Sequence, residues 1–152
     1  MHQSRSQVAG EVSACIRCNE CLTACPALPV VFDHCGLSPR PGDFDALLRL
    51  AAYPNAHLKW CHAPIVFRGG RYPFPEVRPF LHRALDAFGR ERVMWASDFT
   101  AVPLAARVLD GPQYSWAEAL FYMRANPDLS EGDLEWLLGR TARKVLDWPA
   151  GA

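Results

Sequence analysis

The sequence carries no net charge, with 16 Lys and Arg balanced by 16 Asp and Glu over 152 residues. That balance leaves no electrostatic footprint for nucleic acid or another polyanion. No apolar run approaches the roughly 18–20 residues that a bilayer-spanning helix needs. The segment from Met1 to Gly10 is polar and lacks the apolar stretch of an export signal. Internal repeats and low-complexity tracts are missing as well. The expectation is a cytoplasmic protein without membrane or nucleic-acid partners. Its hydrophobic fraction of 50% is enough for one globular domain with a real core.

Six cysteines stand at positions 15, 18, 21, 25, 35 and 61, the first four within eleven residues. Such crowding does not suit an ordinary disulfide framework, and in a chain without an export signal it more often indicates metal. Cys15, Cys18, Cys21, Cys25 and Pro26 match C-x₂-C-x₂-C-x₃-C-P, the run of bacterial ferredoxins. Three thiolates on a tight loop reach three corners of one cluster while the fourth points away. A single [4Fe–4S] cluster would need Cys25, Cys35 or Cys61 to complete its ligation. The same spacing has a helical reading, because offsets of 3, 6 and 10 from Cys15 fall on one helix face together with Val8, Val12 and Leu22. Free cysteine packs as a small apolar residue, so a buried stripe is the alternative. Residues 1–27 are therefore expected to form a cysteine-rich head, as an iron–sulfur site or as a helix face.

Beyond the head the pattern alternates. The apolar run from Leu28 to Phe32 predicts a strand buried on both faces. Asp43 is placed to cap a helix with Phe44, Leu47, Leu48 and Ala51 on its apolar face. A second strand is expected over 56–61, an irregular stretch over 63–75, and a helix over 76–88 with Gly89 as its C-terminal cap. Val93 to Ala96 predicts a third strand. The remainder reads as helix, with Ser115 and Glu118 forming a capping box and Ser130 with Asp133 a weaker copy. Strand–helix alternation of this kind predicts an α/β fold with a parallel sheet.

Chemistry in such folds collects where strands hand over to loops. Asp33 and His34 follow the first strand, Cys61 and His62 the second, and Asp98 the third, which places His34, His62 and Asp98 on one rim. Taken singly, His34 and Asp98 have structural readings as a loop hydrogen bond and a helix cap. Their coincidence at strand ends favours function. His62 reads as structural, and His57 and His82 as surface residues.

These segments resemble a known family. Val30 to Gly36, with Asp33-His34, is similar to the V-x-x-D-H-x-G segment at strand six of amidohydrolase barrels, in the subgroup of lactonases and decarboxylases such as 2-pyrone-4,6-dicarboxylate lactonases. Leu58-Lys59-Trp60 resembles its strand-seven V-K-L segment, and Arg71-Tyr72-Pro73-Phe74 its Y-P-Y stretch. Phe88 to Asp98 is close to F-G-x-x-R-x-M-W-G-S-D at strand eight, with Ala96 in place of Gly. Leu138 to Leu146 looks like the terminal helix, with Thr141 in place of Asn.

The resemblance covers residues 28–148 and implies the C-terminal part of a (β/α)₈ barrel, about three parallel strands with flanking helices. It implies a hydrolase acting on a lactone, an ester or a C–N bond, or a decarboxylase, with a carboxylated small-molecule substrate. Asp98 would be the general base, His34 would bind or polarise the substrate carbonyl, and Arg68 and Arg71 would pair with a substrate carboxylate. A complete barrel takes about 250 residues, and the family's strand-one H-x-H pair, strand-four ligand and strand-five histidine have no counterpart in this sequence. A divalent metal would thus lack those ligands. The expectation is a truncated barrel, residues 28–149, that self-associates or joins a missing half. The competing function is an iron–sulfur electron-transfer protein or subunit.

Overall fold

In the computed structural model, residues 20–36 and 41–149 are described. Three short strands, β1 (Val30–Phe32), β2 (Ala56–Trp60) and β3 (Val93–Trp95), form a parallel sheet in the order β1-β2-β3. Val30 pairs with Ala56, Leu58 with Val93, and Trp60 with Trp95. The connections run through α2 (Pro41–Arg49) and α4 (Arg78–Phe88), which are the crossover helices that parallel pairing requires.

Helix α2 begins at Pro41, a residue well suited to the first turn, and buries Phe44 and Leu47 as its apolar spacing predicts. Helix α4 ends where expected. Gly89 adopts φ 73 and its N–H bonds the Leu85 carbonyl at 2.8 Å, a left-handed φ that glycine accepts without a Cβ clash. The stretch expected to be irregular contains a short helix, α3 (Ala63–Val66), started by Pro64. After β3 come α5 (Val102–Leu109), α6 (Trp116–Arg124), α7 (Glu131–Glu135), a π turn over Trp136–Arg140, and α8 (Thr141–Val145). Both capping boxes form completely, that of Ser130 and Asp133 as well as that of Ser115 and Glu118.

Strand alternation divides the sheet into two faces. Ala56, Leu58 and Trp60 point into the helix layer and are fully buried. There Trp60 stacks on Phe67, which stacks on Phe80, and Phe44 meets both phenylalanines edge-on. On the other face lie Val31, His57, Lys59 and Met94. The expected burial of β1 on both faces is not found, since Val31 is 39% exposed and Leu28 60%. Among the described residues β1 has a strand neighbour on one side only, which makes it the edge strand of the sheet. His57 is buried rather than on the surface, bonded through Nδ1 to the Asn55 carbonyl.

Two polar clamps fix the N-terminal ends of the strands. Arg92 donates to the carbonyls of Phe88, Ala51 and Tyr53, tying the turn before β3 to the turn before β2. The Asn55 amide donates to the carbonyls of Leu22 and Leu28. It thereby satisfies a C-terminal carbonyl of α1 (Glu20–Ala24) that has no partner inside the helix. Leu22 belongs to the same core as Leu58 and Trp60, so the end of the cysteine-rich head packs on the sheet domain.

Gly111 tests how closely the loop after α5 approaches α3. A Cβ there would lie 2.9 Å from the Ile65 Cα and 2.7 Å from its Cγ2. Gly111→Ala is expected to cost about 1–3 kcal/mol through overpacking, read as a lower midpoint in urea with an unchanged m-value. A midpoint equal to that of the parent protein would show that the loop relaxes freely.

Candidate active site

Each strand of the sheet delivers one polar side chain to the same point. His34 and His62 each follow the last residue of their strand by two positions, and Asp98 follows β3 by three. The Nε2 atoms of both histidines lie 2.8 Å from the same Asp98 oxygen, Oδ2. The two imidazoles are nearly parallel, with centroids 5.3 Å apart and 11° between their planes. Asp98 makes no capping bond to the helical turn that follows it. Its carboxylate is turned back to the rim, which removes the helix-cap reading.

The backbone is bent to make this happen. His34, His62 and Asp98 have φ of 51, 54 and 39, all in the left-handed region that non-glycine residues rarely enter. Eight described non-glycine residues show positive φ, and these three are among them together with Cys35, which follows His34. Such conformations cost about 1–3 kcal/mol each and persist where the surroundings over-determine them, typically at functional sites. Asp33 helps to hold the first bend, its Oδ1 accepting from the His34 N–H at 3.0 Å and its carbonyl from the Gly36 N–H at 2.8 Å.

Electrostatically the point is a carboxylate held by two imidazoles. Partial burial works against the charge on Asp98, but the hydrogen bonds from His34 and His62 outweigh it and keep the carboxyl below its ordinary range. His62 is buried, and its Nδ1 faces the Tyr114 hydroxyl at 3.5 Å. Burial pushes the Tyr114 phenol well up, so it remains a hydroxyl. With Nε2–H donated to Asp98, the Nδ1 of His62 is the acceptor for that hydroxyl. Next to this centre, Lys59 pairs with Asp33 at 2.7 Å. Burial works against the lysine charge, but Asp33 more than compensates and holds its pKa above the ordinary value.

His62, weighed above as structural, thus joins Asp98 and His34. The signal was its offset from β2, which repeats that of His34 from β1. Tyr114 had no strand-end signal, since it reaches the site from the loop between α5 and α6. Arg68 and Arg71 sit on the loop after α3 and both are exposed. Arg68 turns toward Asp110, 3.8 Å from its carboxylate, and neither arginine bonds the Asp98 cluster in the described structure. Of the ferredoxin-like run, Cys15 and Cys18 lie outside the described residues. Cys21 falls within helix α1 and Cys25 is exposed after it.

Residues 16–148 match the family model described as amidohydrolase. The chain belongs to the amidohydrolase family. Its three parallel strands with flanking helices match part of that family's barrel. An L-fucono-1,5-lactonase of Burkholderia ambifaria is 31% identical over 114 residues, which are 68% of this chain and 37% of the lactonase. An amidohydrolase from Burkholderia multivorans, solved with bound zinc, superposes with a TM-score of 0.68 at 25% identity, covering 90% of this chain and 50% of that one. A candidate 2-pyrone-4,6-dicarboxylic acid hydrolase from Pseudomonas putida gives a TM-score of 0.66 at 24% identity, covering 90% and 49%. The chain therefore spans half or less of the length of these relatives. Among the described residues no helix is long and apolar enough to cross a membrane.

Proposed function

We propose that this amidohydrolase-family chain carries the strand-end groups of a lactone hydrolase, with Asp98 as general base and His34 as the group that binds or polarises the substrate carbonyl. The convergence of two imidazole Nε2 atoms on one Asp98 oxygen carries the reading. A carboxylate fixed from two sides, ionised at neutral pH and partly open to solvent, is suited to take a proton from an attacking water. His34, the more open of the two imidazoles, would turn its Nε2–H from Asp98 to the substrate oxygen as charge develops there. Addition of water to the lactone carbonyl and opening of the ring C–O bond would give a hydroxy acid. The lactonase relative supports the lactone as substrate class. Arg68 and Arg71, exposed beyond the rim, would meet a substrate carboxylate only after Arg68 leaves Asp110.

A divalent ion fits the same residues. One ligand atom from each of His34, His62 and Asp98 lies within 4.8 Å of the others, and two imidazoles with a carboxylate suit zinc. Bound there, zinc would supply Lewis-acid polarisation and a more acidic water. His62 would then hold the ion through Nε2 and donate Nδ1–H to Tyr114, a supporting bond of the kind metal-ligating histidines require. Further barrel strands, from a second copy or from more chain, would pair at the β1 edge that has no strand neighbour among the described residues.

For the cysteine run we favour the helix face over an iron–sulfur cluster. Cys21 lies in an α-helix whose following carbonyls are bound by Asn55. The family match also begins at residue 16, inside the run.

The test is a panel of 1,5-lactones, with and without carboxyl groups, followed by proton release in zinc-loaded and chelator-treated protein. Release of hydroxy acid is the expected result. Evolution of carbon dioxide from a carboxylated substrate would move the reading to a decarboxylase.

A further inference from the structure

The geometry points to a second, thiol-containing cation site formed by Asp33, His34 and Cys61, taking a soft divalent ion of the zinc and cadmium type. One ligand atom from each residue lies within 4.8 Å of the others. The Asp33 Oδ1 is 3.7 Å from the Cys61 Sγ and 3.7 Å from the His34 Nδ1. An ion bonded tetrahedrally at ~2.0–2.3 Å would set its donors roughly 3.3–3.7 Å apart, so these separations need little contraction. Sulfur, nitrogen and oxygen together favour zinc or cadmium over magnesium or calcium.

The His34 ring gives an independent reason. When Nε2–H is donated to Asp98, the Nδ1 lone pair faces the Asp33 carboxylate. Two acceptors facing each other with a thiol beside them are completed by a positive charge. That role is now taken by the Lys59 ammonium, 2.7 Å from Asp33. An incoming ion would displace Lys59, whose side chain is partly exposed, and the Cys61 thiol would release its proton to solvent as the thiolate bonds the metal. Filled in this way, the site leaves Nε2–H on Asp98 and builds a carboxylate–histidine–metal relay.

The site does not depend on Asp98 being a base, and it is distinct from the His34–His62–Asp98 centre. That centre needs the Nε2 lone pair of His34, so the two take opposite tautomers of one ring and fill one at a time.

Cobalt(II) titration of the full chain tests this, with Cys15, Cys18, Cys21 and Cys25 replaced by serine to remove the other clustered thiols. A thiolate-to-cobalt charge-transfer band in the near ultraviolet is expected. It should be absent in Cys61→Ser, weakened in Asp33→Asn and retained in His62→Asn. Zinc or cadmium should bleach it. Because Cys61 is buried, Asp33→Asn, an exposed position, serves as the second variant should Cys61→Ser misfold. Lys59→Met removes the resident charge and should tighten cobalt binding by about tenfold or more. Absence of the band in the parent, its survival in Cys61→Ser, or cobalt affinity unchanged in both Asp33→Asn and Lys59→Met would overturn the assignment. Failure of the parent protein to hydrolyse lactones before cobalt is added, with the band appearing on titration, would count against the proposed function alone.

Discussion

Asp98→Asn is expected to lower lactone hydrolysis by about 10²–10⁴-fold, the range a positioned general base contributes, while the protein stays folded. Asparagine has nearly the same volume, and its Oδ1 can still accept from both histidine Nε2 atoms, which now meet at Asp98 Oδ2. The charge is what disappears. The native carboxyl is held below its ordinary range, so near neutral pH essentially every parent molecule presents an anion there, and the variant presents none. kcat/KM and a thermal melt of the same preparation provide the measurement. Activity within tenfold of the parent would remove Asp98 from proton transfer. A matched loss of activity and melting temperature would make it a structural anchor for the two imidazoles. The parallel pair His34→Asn and His62→Asn separates the histidines further. His34 is partly open and His62 is buried beside Tyr114, so the first should lose activity with little loss of stability and the second should lose both.

The rim was legible in the sequence because it depends on chain order alone. In a parallel sheet every strand ends at the same edge, so Asp33-His34, Cys61-His62 and Ser97-Asp98 had to arrive together once the strands were placed. Element boundaries were legible where chemistry marks them, as at Gly89 and at the two serine caps. The exposure of β1 was not. Leu28 to Phe32 is apolar at every position, and composition cannot tell a strand covered on both faces from one lacking a neighbour. Nor did the sequence reveal the left-handed bends at His34, His62 and Asp98. Left-handed φ is expected at glycine, and here histidine and aspartate take it because their side chains are held by one another. Contacts made across the fold are also invisible to a linear reading. Tyr114 reaches His62 over 52 residues, and Arg68 meets Asp110 over 42, which turns a candidate substrate-binding arginine to a neighbour.

The largest stability effect is expected at Trp60, the residue that connects the core to the rim. It is the last residue of β2, two positions before His62, and it is fully buried. Its ring stacks on Phe67 at 5.5 Å, and its indole N–H donates to the Tyr122 hydroxyl at 2.8 Å. Trp60→Ala should cost about 3–5 kcal/mol, as aromatic-to-alanine changes in cores do, which lowers the melting temperature by roughly 6–20 °C in a domain of this size. Tyr122→Phe isolates the polar part of that cost. It leaves the indole N–H buried without a partner, at about 1–3 kcal/mol, with almost no change in volume. In the double variant Trp60→Phe with Tyr122→Phe no orphaned donor or hydroxyl remains, so it should be more stable than the sum of the two single losses predicts. Strict additivity would mean that the Trp60–Tyr122 hydrogen bond contributes nothing. The same series tests how the rim is positioned. If β2 places His62 through Trp60, Tyr122→Phe should lower hydrolysis measured well below its melting temperature, because the end of the strand loses its anchor to α6 while every rim residue is retained.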